Sequence, residues 1–237
     1  MSYDTIALRP NGKRAQDAVY ALYVSGAIQL ALVMVSGLEL YLLGRIEAGE
    51  WPSDTLIEIT DTVYAVLSGA YLVSLAVGGF LFIRWFRRGY YNLHLLPVRV
   101  RHGEGWAAGA WFVPFMNLFR PYQIMKELHV KGAHLLRKHP AVETLPAKTE
   151  NVGIWWGLWI IYGFVGRIAA RASDDLESIE GLQLSFQSDV ALYGLGVLTA
   201  GVAIVVVRQY AAIEDRLRRA FASDQARIID SFVPAKH

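Results

Sequence analysis

The 237-residue chain contains no cysteine and few charged residues. The absence of cysteine excludes disulfide bonds, thiol catalysis and thiolate metal sites. Only 19% of the residues are charged and 54% are hydrophobic, and the charges cluster between long uncharged runs. This composition is typical of a membrane protein and not of a soluble domain. The net charge of +2 is too small to indicate a nucleic-acid partner.

Four runs are long and apolar enough to cross a bilayer as helices. A hydrocarbon core roughly 30 Å thick needs about 20 apolar residues in a helix, and a lone strand would leave its backbone groups unpaired in lipid. The predicted spans cover residues 19–43, 62–83, 151–169 and 190–207. The predicted fold is an all-α integral membrane protein, with a four-helix membrane domain over residues 18–210.

The charges between the spans predict how the chain is threaded. Residues 84–104 carry five arginines against one glutamate, and residues 120–150 carry six basic residues against three glutamates. Residues 44–61 and 170–189 each hold one arginine and five acids. Because basic residues are retained on the cytoplasmic side, we expect two hairpins whose acid-rich loops face outward.

Both ends of the chain are predicted to be cytoplasmic. Residues 1–17 form an N-terminal segment and residues 211–237 form an amphipathic tail. In the tail Ile213, Leu217, Phe221 and Ile228 fall near one helical face, beside several arginines. Such a helix either lies on anionic lipid or packs on the connector between the hairpins.

The connector, residues 84–150, contains one further apolar run, 105–119, which is about 22 Å long as a helix. Its two flanks are basic, so a fifth crossing would place one basic flank outside. Pro114 and Pro121 each remove a backbone donor and favour a break and a turn. We therefore expect a re-entrant or interfacial helical element on the cytoplasmic side.

Four pieces of the sequence resemble a bacterial multi-pass membrane family known as domain of unknown function 4328. They are RWFRRGYYNL at 84–93, GWAAGAWFVPFMNLFRPYQIMKELH at 105–129, WWGLW at 155–159 and RQ at 208–209. The second piece is the most specific and contains Trp111, Pro114, Asn117, Arg120, Pro121, Tyr122 and Gln123 at the positions of the family pattern. The resemblance implies a protein of the bacterial inner membrane and supplies no activity.

Polar residues around the connector are the candidate ligand site. Helical spacing places Arg120, Gln123 and Glu127 on one face, and a guanidinium suits planar recognition of phosphate or carboxylate. The remaining candidates are Arg84, Asn92, Trp111, Asn117 and Tyr122. One interpretation is a site for an anionic lipid headgroup or small ligand. The other is that these groups satisfy one another and the broken backbone.

Glu39 is the only acid within a predicted span, and such groups are functional candidates in membranes. It is a candidate for an ion pathway together with Arg167, which lies near the same outer side. The alternative is that Glu39, about one turn from the end of its helix, is simply placed at the interface.

No catalytic constellation is visible, since Gly-x-Ser-x-Gly, phosphate-loop and His-Glu-x-x-His motifs are absent. The six histidines lie outside the predicted spans, and those at 129, 134 and 139 point about 140° apart on a helix. We therefore expect no metal, no cofactor and no enzyme. The expected function is binding of a partner membrane protein, an anionic lipid or a small ligand. The alternative is a small transporter or channel that acts as a homo-oligomer.

Overall fold

The computed structural model describes residues 8–139, 145–172 and 178–232, and the side chains of 8–139, 145–171 and 178–223. Within these residues every regular element is helical. The helices are α1 Gly12–Glu47, α2 Asp54–Leu95, α3 Trp106–Gly109, α4 Arg120–Lys138, α5 Thr149–Ala172 and α6 Ile179–Phe232, and a 3-10 turn covers Met116–Leu118.

Four of these helices, α1, α2, α5 and α6, are long and apolar enough to cross a membrane. Each contains one of the four predicted spans, so the prediction of a four-span, all-helical chain is confirmed. Large apolar side chains such as Met34, Val66, Phe80 and Leu198 are exposed on them. Such surfaces are compatible with lipid contact.

Two helices continue well beyond the predicted spans. Helix α2 runs on to Leu95, and α6 runs without a break to Phe232. Hydropathy marks the apolar part of a helix, whereas the polar continuation is held by tertiary packing. The tail residues Ile213 and Leu217, for example, are each 2% exposed.

The helices are divided between two compact units. The first, the connector unit, contains residues up to Val19, Leu81–Gly153 and the chain from Val205 onward. The second, the membrane unit, contains Tyr20–Phe80 and Ile154–Ile204.

The core of the connector unit is formed by the end of α2, by α4 and by α6. Its largest fully buried side chains are Trp85, Phe86, Tyr90, Leu93, Ile124, Met125, Leu128, Leu136, Tyr210, Ile213 and Leu217. Helices α4 and α6 meet at Gly132, where an added Cβ would lie 2.7 Å from Cγ2 of Ile213. The tail therefore packs on the connector, one of the two arrangements predicted for it.

Small residues allow close approach in the membrane unit. An added Cβ at Gly78 would lie 3.9 Å from Cβ of Ala21, and one at Gly26 would lie 3.8 Å from Cβ of Ala200. These contacts join α1 to α2 and α1 to α6, as expected for helices packed in a membrane.

Candidate functional site

The connector exposes a short aromatic loop, residues 111–119. Helix α3 ends at Gly109, and α4 begins only at Arg120, with Pro121 in its first turn. Between them Phe112, Phe115 and Phe119 are 76%, 80% and 60% exposed. The predicted break at proline is thus present, although the segment is a sequence of turns with little regular helix.

Phe115 has a φ of 63°, the only positive φ of a non-glycine residue in the described part of the chain. The left-handed region is unfavourable for a bulky side chain. Such conformations persist where the surrounding structure imposes them, and they are frequent at functional positions. The most exposed ring of the loop therefore lies on its most strained residue.

Trp111 attaches the aromatic loop to α2. Its ring centroid lies 5.8 Å from that of Phe82 and 6.1 Å from that of Phe86, both edge to face. These two phenylalanines lie on either side of Arg84, where the uncharged run of α2 ends. The loop is thus held at the level of α2 where apolar sequence gives way to basic sequence.

Arg120 is held by its own connector. Its Nη1 lies 2.9 Å from Nδ1 of His102, and its guanidinium lies over the ring of Trp106, 5.0 Å from the centroid. Burial lowers the pKa of His102, and the nearby arginine charge lowers it further. His102 is therefore a neutral acceptor at pH 7, and these contacts support the structural interpretation of Arg120.

Glu127 is also satisfied internally. Its carboxylate accepts hydrogen bonds from Tyr90 Oη at 2.8 Å, from the backbone N–H of Arg101 at 2.8 Å and from the ammonium of Lys131. Burial alone would raise the pKa of Glu127, but the bonds from Lys131, Tyr90 and the backbone outweigh it and lower the pKa. Lys131 also donates to the carbonyl oxygen of Arg99. Glu127 therefore ties residues 99–101 to α4.

The remaining candidates do not form one site. Asn92 donates to Glu214 at 2.6 Å and exchanges two backbone hydrogen bonds with Arg9. Tyr90 and Asn92 project from opposite sides of α2, since two helical residues are about 200° apart. Asn117 and Tyr122 are half-buried, and Gln123 is exposed. Trp111, Arg120 and Glu127 share the connector, whereas Asn92 belongs to a separate network.

Arg84 is exposed and belongs to a cluster of three arginines that the sequence did not indicate as a group. Arg14 of α1 lies close enough to Arg84 and Arg88 to be repelled by both charges. Among the described side chains, no acid lies within ion-pair distance of any of the three. Arg84 and Arg88 are four residues apart and thus on one helical face, which was the available sequence signal. The membership of Arg14 depends on tertiary structure.

The predicted ion-pathway residues are not paired with each other. Arg167 is exposed, and its guanidinium lies 5.6 Å from the ring centroid of Phe164. Glu39 is only 6% exposed and faces Thr60. Within the described residues, no group of three or more acidic or histidine side chains is placed to hold a metal ion.

Comparison with known proteins gives one match. The family model described as Domain of unknown function (DUF4328) covers residues 49–212, more than half of the chain. This match confirms the family resemblance of the central pieces. No curated protein and no solved structure matches the chain.

Proposed function

We propose that this chain, which belongs to the family of the domain of unknown function DUF4328, is a non-enzymatic protein of the bacterial inner membrane that binds anionic phospholipid at its cytoplasmic face. The observation that carries the proposal is the exposed aromatic loop, held beside unpaired arginines. In this arrangement the spans form two hairpins, and both termini are cytoplasmic.

The aromatic loop supports contact with the cytoplasmic leaflet. Full burial of a phenylalanine side chain stabilises by about 1.5–3 kcal/mol. Scaled by the exposed fractions of Phe112, Phe115 and Phe119, removal of the loop from water contributes roughly 4 kcal/mol. A lipid-facing position explains why three large rings are left uncovered by the protein.

The arginine cluster supports recognition of a headgroup. Three guanidiniums repel one another unless an anion lies among them, and a phosphate accepts paired hydrogen bonds from arginine. Anionic lipids are enriched in the cytoplasmic leaflet and attract basic residues near the surface. The cluster lies on α1 and α2 close to the ends of their predicted spans, at the height where headgroups are found.

The loop's depth is tested with a spin label, for which a chain without cysteine is well suited. Phe115→Cys is labelled in nanodiscs, and its collisions with oxygen and with a water-soluble nickel chelate are measured. We expect high oxygen and low chelate accessibility. The matched control is Lys126→Cys, an exposed position on α4 that should remain accessible to the chelate. Equal chelate accessibility at both positions would contradict membrane contact.

Lipid recognition is tested by native mass spectrometry after gentle release from the membrane. The variants Arg14→Ala and Arg84→Ala are compared with Arg45→Ala, an arginine paired with Glu50 near an acid-rich loop. We expect bound anionic phospholipid to be lost in the first two and retained in the third. A co-released protein that depends on these residues, in place of lipid, would favour a partner membrane protein.

A further inference from the structure

Buried polar side chains line the interior of the membrane unit. Helix α1 contributes four, α2 contributes four and α6 contributes three, each set at spacings of about three or four residues. These residues are Ser25, Gln29, Ser36, Glu39, Thr60, Tyr64, Tyr71, Ser74, Ser185, Asp189 and Tyr193. Apolar side chains cover the outside of the same helices. We name these eleven residues, with Tyr162 of α5, the polar track.

Hydrogen bonds connect much of this polar track. The hydroxyl of Tyr64 donates to the Oδ2 of Asp189, and the hydroxyls of Tyr71 and Tyr162 bond to each other. Tyr162 lies 3.4 Å from Oε1 of Gln29. The amide nitrogen of Gln29 then lies 3.2 Å from Oγ of Ser25, which in turn lies 3.3 Å from Oγ of Ser74. The bonds join side chains of all four long helices.

Asp189 is a buried acid without a cationic partner. It is 6% exposed, and the groups that face it are the hydroxyls of Tyr64 and Tyr71 on α2 and of Tyr193 on its own helix. No basic side chain in the described part of the chain lies within ion-pair distance. An ionised carboxylate is costly in such surroundings unless it is neutralised.

Glu39 is a second buried acid, and part of its surroundings lacks hydrogen bonds. Its Oε1 has no partner among the described residues, and neither has Oγ of Ser36, one helical turn away. The charged or polar groups near Glu39 are Thr60 and Asp61 on α2. Asp61 adds negative charge, so it disfavours an ionised Glu39.

We propose that Asp189 and Glu39 are proton-binding groups of the membrane unit. Each carboxylate takes up one proton from water and becomes a neutral acid, with no other bond formed or broken. A proton is favoured over a metal ion because a metal site needs several oxygen ligands. Within the described residues no group of three acids or histidines is assembled.

The polar track covers only part of the membrane thickness. From Glu39 to Ser25 it follows α1 for 14 residues, about 21 Å, against a hydrocarbon core of roughly 30 Å. Both acids lie toward the end of the unit that carries residues 44–61 and 170–189. This end is the route by which protons reach the two groups. The inference concerns the membrane unit and does not depend on lipid binding by the connector unit.

The proposal is tested by infrared spectroscopy of the whole protein in nanodiscs during a pH titration. Protonated carboxyl groups have a C=O stretching band that carboxylates lack, so the band reports directly on the proton. We expect this band at neutral pH in the wild type, with part of it lost in Asp189→Asn and part in Glu39→Gln. Glu58→Gln, which replaces an exposed acid of α2, should leave the band unchanged.

A milder variant protects the test against loss of folding. Tyr64→Phe keeps the ring and removes the hydroxyl that bonds to Asp189, so it should shift the frequency of the Asp189 band without abolishing it. Absence of the band at neutral pH in the wild type would overturn the proposal. The same conclusion would follow if the band were insensitive to Asp189→Asn, Glu39→Gln and Tyr64→Phe.

Discussion

Phe115 allows backbone strain and membrane contact to be tested at one residue. Its φ is 63° and its side chain is 80% exposed. Phe115→Ala removes the ring and keeps a Cβ, whereas Phe115→Gly removes both. Since glycine adopts the left-handed conformation without penalty, comparison of the two variants separates the backbone from the ring.

The two effects have different expected sizes. Both variants should weaken placement of the loop in lipid by about 2 kcal/mol, because four fifths of a ring worth about 1.5–3 kcal/mol is removed. This change corresponds to about a 30-fold shift in the ratio of inserted to free loop. Phe115→Gly should also be more stable than Phe115→Ala in detergent by up to about 1 kcal/mol, since an L residue is strained there.

The assay combines one label with one unfolding experiment. A nitroxide on Phe112→Cys reports the depth of the loop in nanodiscs for each Phe115 variant, and thermal unfolding in detergent reports stability. Phe115→Leu serves as the control that keeps an apolar side chain. Unchanged label depth in Phe115→Ala would refute lipid contact. Equal stability of the alanine and glycine variants would refute the strained backbone.

Three further predictions concern packing and pH. Gly132→Ala should destabilise the protein by about 1–3 kcal/mol in thermal unfolding, since its Cβ would lie 2.7 Å from Cγ2 of Ile213. Glu127→Gln should reduce the dependence of the free energy of unfolding on pH in acid solution. The folded-state pKa of Glu127 is below its ordinary value of 4.5, so its contribution is full above the unfolded pKa and is lost as pH falls through the folded pKa. Gly196→Ala should lower thermal stability, because a Cβ there would overlap the Gln29 amide.

Matched controls accompany these variants. Gly153→Ala introduces a Cβ with no atom within 4 Å on another helix, and should be neutral or stabilise by up to about 1 kcal/mol. A similar loss of stability in Gly153→Ala and Gly132→Ala would contradict the packing argument. An unchanged pH profile in Glu127→Gln would show that its hydrogen bonds do not depend on ionisation. Wild-type stability in Gly196→Ala would exclude the close approach of Gln29.

The predicted connector site shows where reasoning from spacing failed. Helical periodicity correctly placed Arg120 and Glu127 on α4, but their partners His102 and Tyr90 come from other segments. Asn92 and Glu214 are 122 residues apart in sequence and still bond. Periodicity describes one helix and carries no information about which face of another helix lies opposite.

The sequence by itself determined the class of the protein, its four apolar helices and its family. These depend on hydropathy and on motifs of neighbouring residues, which act locally because each membrane helix must satisfy its own backbone in lipid. Only the tertiary structure decided the role of Asp189. The sequence placed it at the end of an acid-rich segment, whereas packing buries it beside Tyr64, 125 residues away. A side chain's environment is set by the neighbouring helices, and no pattern within a single helix specifies those neighbours.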